Sequence, residues 1–287
     1  MNITGKTHIY GIFGYPVAHT ASPAMHNAAF GHLGLDCAYL PFEVAPAKLG
    51  DAVKGLRAFG IRGVNVTVPH KETVIPFLDE VTREAKVIGA VNTVVNNGGR
   101  LTGHNTDGAG FLRSLKEECR FDLKGKRMVL VGAGGAGRAV AIQSLLSGLK
   151  QALIVDIDRK KCRVLTAYIN KTVRPESAVF AAPGDRGLDE VVAACDIVVQ
   201  ATPCGMKSAD PLPLDPSLLR KGQLVYDLVY NPPGTKLLKA AARKGCAVSN
   251  GLGMLLYQGC IAFEIWTGKK APVAVMKKAL ARHVYGR

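Results

Sequence analysis

The twelve residues MVLVGAGGAGRA, Met128 to Ala139, restrict the fold of this chain more than any other stretch. Four apolar residues run without interruption into G-x-G-G-x-G, at Gly132, Gly134, Gly135 and Gly137, and a helix-like pattern follows. An uninterrupted apolar run suits a strand covered on both faces, as in a parallel sheet between helices. Glycines at this spacing let the backbone turn tightly and come close to a pyrophosphate, whose charge meets the N–H groups of the helix N-terminus. A lone glycine motif is weak, and its strand–turn–helix setting is what gives it meaning. The bland alternative is a glycine turn needed only for close strand–helix packing.

The next strand-like run ends in VDIDRKK, Val155 to Lys161. Asp156 follows the glycines by about twenty residues, where an acid accepts both ribose hydroxyls of a dinucleotide. A 2′-phosphate beside that carboxylate would be repelled, which favours NAD over NADP. Arg159, Lys160 and Lys161 follow at once and could clamp such a phosphate, or could be solvated charges at a helix start.

At 287 residues the chain is about twice a typical domain, so two domains are expected. Apolar runs alternate with helical patterns, which predicts α/β architecture with parallel sheets. No apolar run approaches the roughly 18 residues of a membrane span, and the start MNITGKTHIYGIFG makes a poor signal peptide. Seven cysteines are scattered, never as C-x-x-C, which argues against a disulfide framework or a zinc site and for a reducing cytoplasm. The net charge of +15 fits attraction of small anions. Six Lys or Arg and no acid lie between Lys269 and Arg287, yet basic residues elsewhere are dispersed, which argues against nucleic-acid binding.

The first half carries polar groups in apolar settings. SPAMHNAAFGHLG reads as a helix with Ser22 as N-cap, Pro23 in the first turn, Gly34 as terminator and an apolar face at 25, 28, 29 and 33. In GVNVTVPHK, 63–71, the period of two puts Val64, Val66 and Val68 on one face and Asn65 and Thr67 on the other. Pro69 ends that strand and Lys71 lies just beyond, where open α/β sheets bind ligands; a half-exposed edge strand with a surface lysine is the plainer reading. Asn92 interrupts an apolar run, and Thr106–Asp107 precede a helix that Asp107 could simply cap. Gln258 sits on an apolar stripe with Met254, Ile261 and Ile265, and a buried amide needs partners.

Taken in order, GYPVAHTASPAMHN, GVNVTVPHK, GAVNT, GHNTDG, VGAGGAGRA, YDLVYNP and GLGMLLYQG resemble the shikimate dehydrogenase family over essentially the whole chain. The resemblance implies a two-domain α/β fold. Residues 1–107, completed by helices in 252–287, form the substrate domain, and 108–251 form a Rossmann-type NAD(P)-binding domain with the active site in the cleft between them. It implies reversible reduction of 3-dehydroshikimate to shikimate, in chorismate and aromatic amino-acid biosynthesis, by a cytoplasmic monomer or homodimer. Lys71 and Asp107 match the catalytic pair. Thr20 and Ser22 match the carboxylate-binding hydroxyls, and Asn65, Thr67, Asn92 and Gln258 match contacts to the ring hydroxyls, with Thr106 and Tyr230 beside the substrate. Cofactor contacts fall on Gly132, Gly134, Gly135, Ala136, Gly137, Asp156, Asp158, Arg159, Thr202, Met206, Gly251 and Met254, with no metal. Removing a hydroxyl proton suits a lysine whose pKa burial lowers, and a neighbouring carboxylate opposes that shift.

Three positions depart from the family pattern. The usual Ser-x-Ser reads Thr20–Ala21–Ser22, Gln200 stands where Asn is common, and the NRT of NADP-specific members reads Asp156–Ile157–Asp158. The last favours NAD and makes an NAD-preferring quinate/shikimate dehydrogenase the first alternative. A non-catalytic dinucleotide sensor, or a nucleic-acid-associated protein keeping the fold, is the alternative of another class.

Overall fold

The structure is a computed structural model that describes residues 3–286, so Arg287, the last of the C-terminal basic run, lies outside the described residues. The chain forms two compact units, one of residues 1–110 with 256–287 and one of residues 111–255.

The first unit contains, in chain order, β1 (His8–Gly14), α1 (Ser22–His32), β2 (Cys37–Glu43), α2 (Leu49–Ala58), β3 (Gly63–Val66), β4 (Glu80–Val81), α3 (Arg83–Ile88), β5 (Thr93–Asn97), β6 (Arg100–His104) and the start of α4 (Asp107–Glu117). Its sheet runs β2-β1-β3-β5-β6-β4. The strands are parallel except at β5, which pairs antiparallel with both β3 and β6. The sheet is therefore mixed rather than parallel throughout, because the two-glycine turn at Gly98–Gly99 closes a hairpin that no crossover interrupts. Phe13, Val64, Val66, Val94 and Leu101 form its core with Leu49, Val53 and Leu56 of α2.

Three local expectations need correcting. The helix α1 has Ala21 at its N-cap with no side-chain cap bond, so Ser22 is not the cap. Its buried residues are Ser22, Met25, His26, Ala29 and Phe30, while Leu33 is the exposed C-cap, so the buried stripe is rotated from the one expected. Third, β3 stops at Val66, and Val68 is 68 % exposed instead of sharing the face of Val64 and Val66. Just beyond Val66 the chain stays bonded to the β1 side, through Thr67 N–H to Phe13 and the Tyr15 N–H to Val68, and it meets the segment before β5 again at Lys71. The strand is also central, not an edge, which is why Asn65 is buried.

The second unit continues with β7 (Arg127–Val131), α5 (Gly135–Leu146), β8 (Gln151–Val155), α6 (Arg159–Thr172), β9 (Ala178–Ala181), α7 (Leu188–Ala194), β10 (Ile197–Gln200), β11 (Leu224–Asp227), α8 (Lys236–Arg243) and β12 (Ala247–Asn250). All six strands are parallel, in the order β12-β11-β10-β7-β8-β9. Read from the other edge this is the 3-2-1-4-5-6 order of doubly wound dinucleotide-binding sheets. Val129, Val131, Val155, Val198 and Val225 supply one core face.

The chain returns to the first unit through α9 (Leu252–Thr267) and ends in α10 (Val273–Tyr285). The helix α10 packs on α1, and the Trp266 indole N–H on α9 bonds the Val94 carbonyl at 3.0 Å.

Candidate functional site

In the first unit the residues singled out in the sequence converge on Asn92, just before β5. Its amide nitrogen donates to Thr106 Oγ1 at 2.9 Å, Asp107 Oδ1 at 2.8 Å and, more distantly, Gln258 Oε1 at 3.4 Å. Its amide oxygen accepts the Thr106 backbone N–H at 2.8 Å, and its carbonyl accepts from Val66 N–H and the Asn65 amide. Two distant segments, Thr106–Asp107 and Gln258, are thereby tied to one buried side chain, and a third, Asn65–Val66, to its backbone carbonyl.

Asp107 opens α4, but its carboxylate serves neither as a helix cap nor as a surface charge. Oδ2 meets Lys71 Nζ at 2.6 Å while Oδ1 takes the Asn92 amide. The lysine and aspartate side chains are 18 % and 8 % exposed, so the pair is largely shielded from water. A charge-assisted bond of this length is among the stronger kinds, and it fixes where the ammonium head sits. The Lys71 backbone is held as well, since its carbonyl accepts Val91 N–H at 2.7 Å.

Gln258 enters from α9, and a Cβ added at Gly110 would lie 2.6 Å from the Gln258 backbone nitrogen. The glycine is what allows α4 and α9 to approach this closely. Asn65 has its oxygen on the Tyr39 hydroxyl at 2.7 Å and its nitrogen on Asn92 O and Thr93 Oγ1. Ser22 is buried, whereas Thr20 and Thr67 are partly exposed; Thr20 Oγ1 accepts the Ser22 N–H at 3.4 Å. The sequence reading missed Tyr39 and Thr93. The adjacent polar pair Asn92–Thr93 within an apolar run was the available signal for Thr93; Tyr39 carried none.

In the second unit the glycine turn divides into two kinds of position. A Cβ on Gly137 would fall 2.0 Å from the Gly132 carbonyl oxygen, and Gly132 itself has φ 110°. Both are needed to make the turn. At Gly134, the N-cap of α5, and at Gly135 an added Cβ meets nothing within 4 Å. These two leave open space over the helix N-terminus, which is the shape a pyrophosphate cradle needs. Ala136 follows in the first turn of α5.

Asp156 braces this loop: Oδ2 accepts Ala133 N–H at 2.8 Å and Oδ1 accepts Asp158 N–H at 3.0 Å. Asp158 caps α6 by accepting Lys161 N–H. Ile157 between them is 87 % exposed. Arg159 forms an ion pair with Asp185, and Lys161 lies 3.9 Å from the Asp158 carboxylate.

Gln200 turns out to organise the loop after β10. Its amide donates to the carbonyls of Thr202 and Cys204 at 3.0 and 2.8 Å, and its oxygen takes Thr202 N–H. Met206, beyond it, is exposed. Asp227 is level with Gln200 on β11, holding Val229 N–H at 3.0 Å and Thr235 Oγ1 at 2.7 Å; burial pushes its carboxyl pKa up. Tyr230 follows on the same loop, partly exposed. Gly251 lies against Leu228, where a Cβ would meet the carbonyl oxygen at 2.0 Å, and Met254 N–H bonds the Tyr226 hydroxyl at 3.2 Å.

A Rossmann-type unit with an open glycine cradle and a mixed α/β unit carrying a buried lysine–carboxylate pair together define a two-domain dehydrogenase. Comparison with known proteins narrows the class. The family model for the shikimate dehydrogenase substrate binding domain matches residues 12–94, and that for the shikimate 5′-dehydrogenase C-terminal domain matches residues 251–281. The chain is 50 % identical to a shikimate dehydrogenase (NADP(+)) of Desulforamulus reducens, over 98 % of this chain and 97 % of that protein. A Listeria monocytogenes shikimate 5-dehydrogenase, solved in complex with shikimate and NAD, is 42 % identical with a TM-score of 0.91, covering 98 % of each chain. A Corynebacterium glutamicum quinate dehydrogenase in complex with NAD is 36 % identical with a TM-score of 0.88, covering 95 % of this chain and 98 % of that one. This chain belongs to the shikimate dehydrogenase family.

Proposed function

We propose that the chain is a shikimate dehydrogenase, interconverting shikimate and 3-dehydroshikimate with a nicotinamide dinucleotide in the cytoplasmic synthesis of chorismate and aromatic amino acids. The observation that carries this reading is the shielded Lys71–Asp107 pair held by Asn92. Oxidising a secondary alcohol removes a proton from oxygen and a hydride from carbon. The nicotinamide supplies the hydride acceptor, and the protein supplies position and proton handling. Lys71 Nζ is the group that exchanges the hydroxyl proton; Asp107 fixes its head, and Asn92 fixes Asp107. Ser22 and Thr20 present hydroxyls to the carboxylate, while Asn65, Thr67, Asn92 and Gln258 present amide and hydroxyl groups to the ring hydroxyls. Gly132 to Gly137 and Asp156 hold the pyrophosphate and ribose.

NAD is the favoured dinucleotide. The carboxylates of Asp156 and Asp158 concentrate negative charge after β8, and Arg159, the nearest base that could clamp a 2′-phosphate, is paired with Asp185. Ile157 offers an apolar surface where a phosphate-binding arginine would otherwise stand. The same triplet supports a second reading, an NAD-preferring quinate/shikimate dehydrogenase, and the extra methyl of Thr20 bears on how a C1 substituent fits.

Lys71→Ala tests the assignment. Turnover of shikimate is expected to fall about 10²–10⁴-fold, the range for a positioned proton-transfer group, while the Kd for the dinucleotide stays within about threefold. Unchanged turnover would refute the role of Lys71.

A further inference from the structure

The SPAMHN segment carries two residues, His26 and Asn27, that none of the proposed ligand contacts uses, and both act on Tyr39. The Asn27 amide brackets the Tyr39 backbone from the open side of β2, accepting its N–H at 2.8 Å and donating to its carbonyl at 3.0 Å. His26 lies flat on the Tyr39 ring, with centroids 4.4 Å apart and planes 7° from parallel. Neither ring nitrogen of His26 has a hydrogen-bond partner, so the residue works through its face. Trp266 tilts against the other rings at 6.1 Å from Tyr39. Backbone and ring of Tyr39 are thus both fixed, and at 1 % exposure the side chain is out of reach of any ligand.

What is left of Tyr39 is its hydroxyl. It donates to Asn65 Oδ1 at 2.7 Å. An amide can flip, exchanging donor for acceptor, unless a neighbour distinguishes its two ends. The Tyr39 hydroxyl holds Oδ1 while Nδ2 donates to Asn92 O and Thr93 Oγ1, so both ends of the amide are fixed.

We propose that Tyr39 is a positioning residue for the substrate, its hydroxyl holding the Asn65 amide on β3 in a fixed place and orientation. The inference rests on the assignment of Asn65 as a shikimate contact. It extends that assignment by one residue that touches neither substrate nor cofactor.

Tyr39→Phe removes one oxygen and keeps the stacked ring. KM for shikimate is expected to rise about tenfold, the scale of one buried hydrogen bond whose partner is left unsatisfied, with kcat changed less than about twofold. KM for the dinucleotide stays unchanged, and the melting temperature falls by no more than the loss of one buried hydrogen bond accounts for. In an Asn65→Ala background the same substitution should add little, because residues acting through one contact are not additive. A wild type that turns over shikimate beside a Tyr39→Phe variant with unchanged KM overturns the proposal; so does an equal rise in both KM values, or full additivity with Asn65→Ala. A wild type inactive on shikimate would instead overturn the functional assignment. Should Tyr39→Phe fail to fold, Asn27→Ala decides, since loosening the bracket must raise KM for shikimate in the same sense.

Discussion

The two units build their binding surfaces from opposite materials. In the first, side chains do the work: Asn65, Asn92, Thr106, Asp107 and Gln258 are all under 9 % exposed and hydrogen-bonded to one another or to Lys71 and Tyr39. In the second, the cradle is mostly backbone and absence: two glycines with nothing over them, two that permit the turn, and an aspartate that holds the loop. The difference follows from the ligands expected in each. A pyrophosphate needs close N–H groups and room, which glycine provides. A small polyhydroxylated ring needs donors and acceptors at fixed points, and buried networks keep them fixed only while every member is satisfied.

This contrast can be broken most severely at Asn92. Asn92→Ala leaves Asp107 Oδ1 and the Thr106 N–H short of partners, at about 1–3 kcal/mol for each buried group. Chemical denaturation should therefore show a loss of roughly 2–6 kcal/mol, with kcat falling as well because Asp107 is no longer held. A loss under about 0.5 kcal/mol, typical of a surface site, would mean that the network is not what organises the first unit.

A smaller effect is expected on acidification. Burial holds His26 well below its ordinary value, at a pKa of about 3. The unfolded chain therefore binds an extra proton between roughly pH 6.5 and 3. Stability is complete above that window and falls with pH inside it by up to about 1.4 kcal/mol per unit. His26→Phe, which keeps a flat ring, should flatten the slope of denaturation free energy against pH between 4 and 6 relative to the wild type, by an amount on the order of that figure. An unaltered slope would place the acid sensitivity elsewhere.

The smallest change should come from Gly135→Ala, and it sharpens the comparison best. Alanine in the first turn of α5 should leave stability unchanged or raise it by about 0.5–1 kcal/mol, since the added Cβ meets no protein atom. KM for the dinucleotide should nonetheless rise, because that space is meant for phosphate. A variant with an unaltered KM would show that the space is not used.

The same contrast explains what the sequence revealed. The glycine turn, β7 and α5 are contiguous, so one local pattern carried strand, turn, helix and ligand chemistry together. Lys71, Asp107 and Asn92 stood out as polar residues at strand ends, but their joining depends on contacts between segments 15 to 36 residues apart. Asp107 read equally well as a helix cap until Lys71 and Asn92 were seen to occupy its oxygens. Gln258 was visible because it broke an apolar stripe. Tyr39 was not, because a tyrosine in a strand already satisfies the pattern, and only the folded chain shows what its hydroxyl joins. The C-terminal end of β3 was misread for a related reason: alternation records which residues alternate, not which neighbouring strand is there to pair with them.

The account is tested most directly by steady-state rates for shikimate and quinate, each with NAD and with NADP, on the purified chain. It predicts the highest kcat/KM for shikimate with NAD. Turnover of neither acid with either dinucleotide would contradict the proposed function, and a kcat/KM with NADP equal to or above that with NAD would contradict the role given to Asp156 and Asp158.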